Sequence, residues 1–292
     1  MRALKVFKEL VHEDFRVLGA LERGMATHEY VPLDVIQQLA GKSYDESECN
    51  FRLSRLHKME LIKRWKGSYQ GYHLTFMGYD CLALNAFVQG NYIESFGNVL
   101  GIGKEADVFD ALDSNQNRIA VKFHRLGRTS FRQTKRTRSY TSDKRHISWL
   151  YTSRLSAEKE FICLNKIYPI VSVPKPITQN RHAIVMEYIP GDVLANCNYL
   201  ESPEKVLDDI LTNVHYAYHE GVIHGDLSEY NIFLTKEDKV IIFDWPQWIE
   251  ISHKNADSYF KRDVKNVLIY FQKNFGLYKD LDELLTLLKT PP

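Results

Sequence analysis

The sequence predicts an α+β protein of two lobes, preceded by a small helical domain that ends in a β-hairpin. Over residues 1–90 the order of elements is helix, helix, turn, helix and hairpin, which is typical of a winged helix-turn-helix domain. Over residues 91–292 strand-like runs come first and amphipathic helices follow, an order that indicates an α+β unit. We therefore expect two domains, 1–90 and 91–292.

Composition excludes several classes of protein. The 292 residues are 44% apolar and 12% aromatic, so the chain is neither disordered nor fibrous. No apolar run reaches the roughly 18 residues of a membrane helix, and the charges in MRALKVFKELVHEDF argue against a signal peptide. Four cysteines lie too far apart for a disulfide framework or a zinc site, which predicts a reduced, cytoplasmic protein: Cys49, Cys81, Cys163 and Cys197.

In the first domain, Pro32 begins the helix VPLDVIQQLA and Gly41 ends it. The next helix covers about Ser47–Met59, and LIKRW and YHLTF are strands joined by KGSYQG. Six cations that could contact a nucleic-acid backbone lie on that helix and on the hairpin: Arg52, Arg55, Lys58, Lys63, Arg64 and Lys66. The alternative is an ordinary solvated face, because the domain has 12 basic and 11 acidic residues.

The second domain begins with predicted strands and ends with two predicted amphipathic helices. Its clearest helix, Pro203–Glu220, has an apolar stripe, with Ser202 as the N-cap and Gly221 as the stop. The other predicted elements are the strands FGNVL, DVFDAL and IAVKF, a helix near Ser156–Lys166, the strands VSVPKPI, HAIVMEY, NIFLT and KVIIF, and helices near Ala256–Asn274 and Leu281–Lys289.

A net charge of only +1, from 38 Lys and Arg against 37 Asp and Glu, hides a strongly basic segment. Residues 122–145 contain nine Lys or Arg and one acid, Asp143, which gives +8 in 24 residues. Such a segment is usually solvated and often binds anions. Since Phe131 and Tyr140 are interleaved with its cations, we expect it to contact ATP phosphates or RNA.

Two features near the start of this domain suggest phosphate binding, although each has a simpler explanation. Gly101 and Gly103 lie between two strands, where the missing Cβ lets the backbone approach a phosphate; a plain hairpin turn is the alternative. Lys122 ends the apolar run Ala120-Val121-Lys122, so a buried ammonium there needs a partner such as phosphate or the carboxylate of Glu160. A lysine that extends to solvent is the alternative.

The segment HGDLSEYN, residues 224–231, is the most specific pattern in the chain. It places Asp226 and Asn231 five residues apart in a loop before a strand, and Asp244 follows Asp226 by 18 residues at the end of KVIIF. Mg²⁺ prefers such oxygen ligands, taking one or two carboxylates plus phosphate oxygens. The alternative makes Asp226 a turn cap and Asn231 the start of a hairpin, but it leaves Lys122 and the upstream glycines unexplained.

The chain resembles the protein-kinase-like fold in the order of five features. They are the glycine segment, AVK, a helical Glu, HGDxxxxN and an Asp at the end of a strand. The segments GIGKEADVF, KFHRLGRTSF, HGDLSEYN and IIFDWPQ resemble the RIO family of atypical serine/threonine kinases. The winged helix is similar to that of the second subfamily, with an archaeal source expected. The resemblance covers essentially the whole chain and implies a first lobe over about 91–188 and a trimmed second lobe over about 189–292.

The resemblance also implies the site residues. Asp226 is the catalytic aspartate, Asn231 and Asp244 are metal ligands, and Lys122 holds the α- and β-phosphates while Glu160 positions it. The nucleotide is covered by Gly101, Ile102, Gly103, Lys104, Glu105, Ala106 and Val108. Adenine meets the backbone of Met186, Glu187, Tyr188 and Ile189.

Three departures from ordinary kinases limit what the resemblance implies. Gly225 stands where ordinary kinases have an Arg that pairs with a phosphorylated activation loop. Asp244-Trp245-Pro246 replaces Asp-Phe-Gly, and proline fixes its own φ, which argues against a flip between two loop states. Only 48 residues follow Asp244, without an Ala-Pro-Glu motif, so we expect an incomplete peptide-docking platform and poor phosphorylation of generic peptides.

The predicted reaction is the transfer of the γ-phosphoryl group of ATP with Mg²⁺, or Mn²⁺ as an alternative ion. The acceptor is a serine of this or another protein, water, or Asp244 itself acting as a nucleophile. The resemblance names a precursor of the small ribosomal subunit as partner, bound through the winged helix and the basic loop 122–145. Two alternatives remain: a small-molecule phosphotransferase of the aminoglycoside or choline type, and an inactive kinase fold carrying an RNA-binding domain.

Overall fold

The computed structural model describes residues 2–127 and 149–291. The chain divides into two compact units, Met1–Arg154 with Asn180–Ala183, and Leu155–Gln179 with Ile184–Pro292. Each unit contains its own cluster of buried apolar side chains. Within the described ranges no helix is long and apolar enough to cross a membrane, and the four cysteines are free thiols.

The first unit begins with the predicted winged helix. Its elements are α1 (Arg2–Phe7), α2 (His12–Gly24), β1 (Val31–Pro32), α3 (Leu33–Ala40), α4 (Glu46–Lys58), β2 (Ile62–Lys66), β3 (Gln70–Leu74) and α5 (Phe76–Gln89). The strands are antiparallel in the order β1, β3, β2. Asp45 fixes the start of α4, because its Oδ1 accepts the Glu48 N–H at 2.8 Å.

Helix α5 contradicts the expectation that this domain ends in the hairpin. It begins directly after β3, where the Thr75 hydroxyl accepts the Gly78 N–H at 3.2 Å. Residues 78–84 of α5 are all buried. A helix that is buried on every side has no polar face, so the amphipathic pattern used to predict helices does not mark it.

A second antiparallel sheet in this unit contains the predicted glycine segment. Three of its five strands are β4 (Ser95–Ile102), β5 (Ala106–Leu112) and β6 (Arg118–His124), in agreement with the predicted runs. β4 pairs with β5 and β5 with β6, and two register shifts interrupt the β4–β5 ladder between Phe96 and Gly101. The ladder therefore becomes irregular on the strand that enters the glycine turn.

The remaining elements lie mainly in the second unit. They are α6 (Trp149–Ile167), β7 (Pro176–Asn180), β8 (Ala183–Glu187), β9 (Gly191–Val193), α7 (Pro203–His219), β10 (Val222–Ile223), β11 (Ile232–Thr235), β12 (Val240–Ile242), β13 (Ile249–Glu250), α8 (Ala256–Phe275) and α9 (Leu281–Lys289). β11 lies between β9 and β12 in one antiparallel sheet, and β10 pairs with β13. Gly221 ends the α7 region with φ +77°, as predicted.

Two predicted boundaries were wrong. Helix α6 begins at Trp149, seven residues before the predicted Ser156. The segment VSVPKPI is a strand only from Pro176, because the backbone of Ser172 is used elsewhere: its N–H donates to Asn213 Oδ1 at 2.6 Å and its carbonyl accepts the Ile242 N–H at 2.8 Å. The domain and lobe boundaries at residues 90 and 188 stay predictions.

Candidate active site

The glycine segment forms a β-hairpin, as the absence of a following helix had predicted. The Gly103 N–H donates to the Ala106 carbonyl at 2.8 Å and closes the turn, while Gly101 lies opposite Val108. A Cβ added at Gly101 would meet nothing within 4 Å. The packing of the chain itself therefore does not require glycine here, and the open space above the backbone fits the approach of a ligand.

Lys122 lies on β6, directly opposite Val108 of the glycine hairpin. Only 7% of this residue is exposed. Burial of an ammonium group is costly unless hydrogen bonds and opposite charge compensate it. The structure thus rejects the alternative of a lysine that extends to solvent, and it places the predicted phosphate-binding cation on the strand next to the hairpin.

In the second unit, helix α8 holds the backbone of the loop that carries Asp226. The carboxylate of Asp263 accepts the N–H of Gly225 at 2.7 Å and that of Leu227 at 3.1 Å, so it bonds on both sides of Asp226. The Arg262 guanidinium donates to the Gly225 carbonyl. Burial raises the pKa of Asp263 to about 7, although the two N–H donors oppose this shift.

His224 connects this loop to the strand that precedes Asp244. Its Nε2 contacts the Phe243 carbonyl at 3.0 Å, and its Nδ1 accepts the Asp226 N–H at 3.3 Å. These two partners require a proton on Nε2 and none on Nδ1, because a carbonyl only accepts and an amide N–H only donates. The imidazole thus bridges the backbones beside both predicted catalytic aspartates.

Asn231 ties the same two segments together a second time. Its side-chain Nδ2 donates to the backbone carbonyl of Asp226 at 2.8 Å. Its backbone carbonyl accepts the Phe243 N–H at 3.0 Å. The β11–β12 hairpin, with Ile232 opposite Ile242, sets this arrangement. Since the amide nitrogen is engaged, Oδ1 is the atom of this side chain that suits a metal.

Asp244 has a left-handed backbone with φ +66°. A non-glycine residue in this region stores strain of roughly 1–3 kcal/mol, which the surrounding structure must hold. Glu160 contributes to that support: it is 1% exposed and its Oε1 accepts the N–H of Trp245 at 3.2 Å. The sequence predicted Glu160 as a partner of Lys122 and did not predict this contact with the residue after Asp244.

The predicted adenine segment begins at the end of β8. The Glu187 N–H donates to the Lys175 carbonyl at 2.9 Å, and Glu187 Oε2 accepts the Lys175 N–H at 3.3 Å. The Glu187 N–H is therefore engaged within the chain. This restricts the predicted adenine contact to the other backbone groups of residues 186–189.

The predicted cations of the winged helix do not all face outward. Arg52 pairs with Glu48 at 2.6 Å and with the fully buried Asp14 at 3.4 Å. Arg55 pairs with Asp14 at 3.3 Å and donates to the Glu9 carbonyl at 2.5 Å. The two arginines of α4 thus neutralise a buried carboxylate.

Comparison with known proteins identifies the family. A model of the RIO domain matches residues 107–284, and a model of the Rio2 N-terminal domain matches residues 7–90. The chain belongs to the RIO kinase family, in its Rio2 branch. Lys122, Asp226, Asn231 and Asp244 all lie within the residues that the RIO-domain model matches, and the glycine turn at residues 101–106 lies just before them.

Several Rio2 proteins are similar to this chain. The RIO-type serine/threonine-protein kinase Rio2 of Methanocaldococcus jannaschii is 46% identical over 254 residues, which cover 85% of this chain and 92% of the relative. The rio2 kinase of Dictyostelium discoideum is 38% identical over 93% of this chain, which spans only 52% of that longer protein. A crystal structure of the Rio2 kinase–ADP/Mg²⁺–phosphoaspartate complex from Chaetomium thermophilum is 33% identical, with a TM-score of 0.84 over 97% of this chain and 88% of that one.

Membership of the RIO family confirms the predicted fold class, a winged helix followed by a kinase-like α+β domain. It also confirms the predicted class of enzyme, a phosphotransferase of the serine/threonine kinase type. The individual roles given to the site residues stay predictions. Most of the basic loop 122–145 lies outside the described residues, which resume at Trp149.

Proposed function

We propose that the chain transfers the γ-phosphoryl group of ATP with Mg²⁺, and that Asp226 and Asp244 are its catalytic carboxylates. One observation carries this proposal: Asn231 bonds both to the Asp226 carbonyl and to the residue before Asp244, so the backbone segments that carry three hard oxygen-bearing side chains meet at one end of a hairpin. The ADP/Mg²⁺ complex of the C. thermophilum relative supports the choice of nucleotide and ion.

We assign each predicted residue the role that the family resemblance implies. Bound Mg²⁺ neutralises negative charge on the β- and γ-phosphate oxygens. Oδ1 of Asn231 and the carboxylate of Asp244 would hold this ion. Lys122 supplies a desolvated positive charge for the phosphates, and residues 101–108 cover them as a hairpin. Residues 186–189 bind adenine through backbone groups other than the Glu187 N–H.

The acceptor that we favour is the carboxylate of Asp244. In this step a carboxylate oxygen of Asp244 bonds to the γ-phosphorus, the bond from that phosphorus to the bridging oxygen breaks, and ADP leaves. Water then attacks the phosphorus of the phosphoaspartate, while Asp226 orients that water and takes its proton. The bond from phosphorus to the Asp244 oxygen breaks, which releases inorganic phosphate and restores the carboxylate. The phosphoaspartate in the C. thermophilum complex favours this route over direct transfer to a serine, and the strained backbone at Asp244 is consistent with a functional position.

We further propose a precursor of the small ribosomal subunit as the partner. The family resemblance names this particle, and the +8 charge of residues 122–145 supports contact with RNA phosphates. The winged helix adds a second basic surface.

Hydroxylamine tests the proposed acceptor. After incubation with γ-labelled ATP and Mg²⁺, we expect label on the full chain that neutral hydroxylamine removes. Asp244→Asn should lose this label, whereas Asp226→Asn should retain it because hydrolysis is slowed. Asp238→Asn is the matched control, since Asp238 also has a left-handed backbone, with φ +54°, and lies in the turn of the β11–β12 hairpin that precedes Asp244. Hydroxylamine-stable label that survives in Asp244→Asn would contradict the phosphoaspartate route, and absence of ATP turnover in the unaltered chain would contradict the enzyme itself.

A further inference from the structure

The outer face of the β2–β3 hairpin, residues 62–74, carries a cluster of aromatic rings. The ring of Trp65 lies 5.8 Å from that of Tyr30 at an interplanar angle of 26°, and 4.9 Å from that of Tyr69 at 62°. His73 adds a fourth ring 5.6 Å from Tyr30. Trp65 and Tyr30 are half-buried, and Tyr69 is 42% exposed, so this outer aromatic face is reachable from solvent.

Two glycines make room for this aromatic cluster. A Cβ at Gly71 would lie 2.7 Å from Cβ of Tyr30, and one at Gly67 would lie 2.0 Å from the ring of Trp65. Opposite Trp65 in the ladder is Gly71 itself, so no side chain of β3 covers the indole there. The sequence of the hairpin thus keeps flat rings on the outer face of a strand pair.

Positive charge lies beside the same rings without an acid on the hairpin. Lys63, Arg64 and Lys66 are exposed on β2, which is an edge strand of its sheet. Lys63 lies on the face of Trp65, whereas Arg64 and Lys66 alternate to the opposite face. Residues 61–76 contain no Asp or Glu. By contrast, the arginines of α4 are committed to Asp14 and Glu48. Of the six predicted cations, three are therefore exposed on the hairpin, whereas the helix that a duplex reader would insert into a groove presents only Lys58, at its end, as an exposed one.

We propose that this hairpin binds single-stranded RNA along the exposed edge strand β2, with bases stacked on Trp65 and Tyr69 and phosphates held by Lys63 beside the rings and by Lys66 at the end of the same strand. Exposed rings interleaved with cations recognise unpaired bases, because every base has a face that can stack and a duplex hides that face. This inference rests on the proposed contact of the winged helix with ribosomal RNA. It assigns that contact to one surface and to unpaired RNA.

Charge variants test the phosphate contacts. Binding of the full chain to a fluorescein-labelled 12-nucleotide oligo(U) is measured by anisotropy from 50 to 200 mM KCl, beside a 12-base-pair RNA duplex. Lys63→Gln with Lys66→Gln should lower the slope of log K against log salt by about 1.4, since each contact with a single strand contributes about 0.7. The matched control is Lys5→Gln with Lys8→Gln, which removes the same charge from exposed positions in and beside α1 and should leave the slope unchanged.

A ring variant tests the stacking. Tyr69→Ser should weaken oligo(U) binding by roughly tenfold or more, the effect of one lost stacked base. Tyr278→Ser, which removes a tyrosine that is 74% exposed in the second unit, should leave it unchanged. Two outcomes would overturn this inference but not the proposed contact with RNA. One is equal binding by the hairpin variants and their controls, and the other is tighter binding of the duplex than of oligo(U). Failure of the unaltered chain to bind either probe would overturn the proposed RNA contact as well.

Discussion

Substitution of Gly225 by alanine tests how firmly the loop of Asp226 is fixed. Gly225 has φ +79°, and a Cβ there would lie 2.6 Å from the Gln247 carbonyl oxygen. A backbone oxygen cannot move aside as the end of a flexible side chain can. The residue cannot rotate away either, because its N–H is bonded to Asp263 and its carbonyl to Arg262.

The expected cost has two parts. A left-handed backbone costs a residue with a Cβ about 1–2 kcal/mol relative to glycine. Crowding against a well-packed neighbour adds about 1–3 kcal/mol. Gly225→Ala should therefore lower the free energy of unfolding by about 2–5 kcal/mol. Since a displacement of about 1 Å at a catalytic group can cost about 100-fold in rate, ATP turnover should fall by one to two orders of magnitude even where the variant is folded.

Gly276→Ala separates the two parts. Gly276 ends helix α8 with φ +69°, and a Cβ there would meet nothing within 4 Å. This control should therefore show the backbone cost of about 1–2 kcal/mol alone, with normal turnover. The free energy of unfolding is measured by urea denaturation, and the rate of Mg-ATP turnover is measured for both variants. If Gly225→Ala were no less stable than Gly276→Ala and equally active, the loop would be adaptable and our account of its anchoring would be wrong.

Two further predictions concern buried acids. Asp80→Ala should lower the free energy of unfolding by about 3–5 kcal/mol, because it removes contacts of 2.5 and 2.9 Å from Arg125, whose side chain is 5% exposed. Asp110→Ala is the control: its partner Arg118 is 50% exposed, so the loss measured by urea denaturation should be no more than about 1 kcal/mol. Similar losses in the two variants would refute the difference that we expect between a buried and an exposed ion pair. Burial raises the pKa of Asp263 to about 7, so from about pH 4 to 7 the folded chain holds more protons than the unfolded one and stability falls as pH rises. Asp263→Asn should flatten the dependence of the free energy of unfolding on pH. An unchanged slope in this variant would refute the assignment of that dependence to Asp263.

The sequence predicted the elements whose local pattern is strong. Helix α9, Leu281–Lys289, begins and ends where its apolar repeat predicted, and the three strands around Lys122 were also correct. Helix α5 was missed because residues 78–84 are buried on every side and leave no stripe. A local signal for it existed in Thr75, whose hydroxyl caps the helix ahead of an apolar run.

The chemical groups of the site were predictable from the sequence, but most of the contacts that hold them were not. Asp226, Asn231 and Asp244 occur in a specific spacing. Asp263 bonds to residues 36 and 38 positions before it, and no spacing rule connects partners so far apart. One feature of the sequence does mark Asp263: it is an acid on the apolar side of α8, in line with Phe260 and Val267. Because a carboxylate is rarely buried without a partner, an acid at such a position indicates a buried hydrogen-bond partner.

The anchoring of this loop explains why a glycine can replace the arginine that ordinary kinases pair with a phosphorylated activation loop. Such a pairing is useful when the catalytic loop needs an external charge to fix it. Here the backbone groups of Gly225 and Leu227 are fixed by Asp263 and Arg262, and the backbone beside Asp244 by Glu160 and His224. An arginine at 225 would bring a Cβ against the Gln247 carbonyl and break that arrangement. The backbone beside both aspartates is therefore held by contacts within the second unit, and we expect no phosphorylated residue to be needed to hold it.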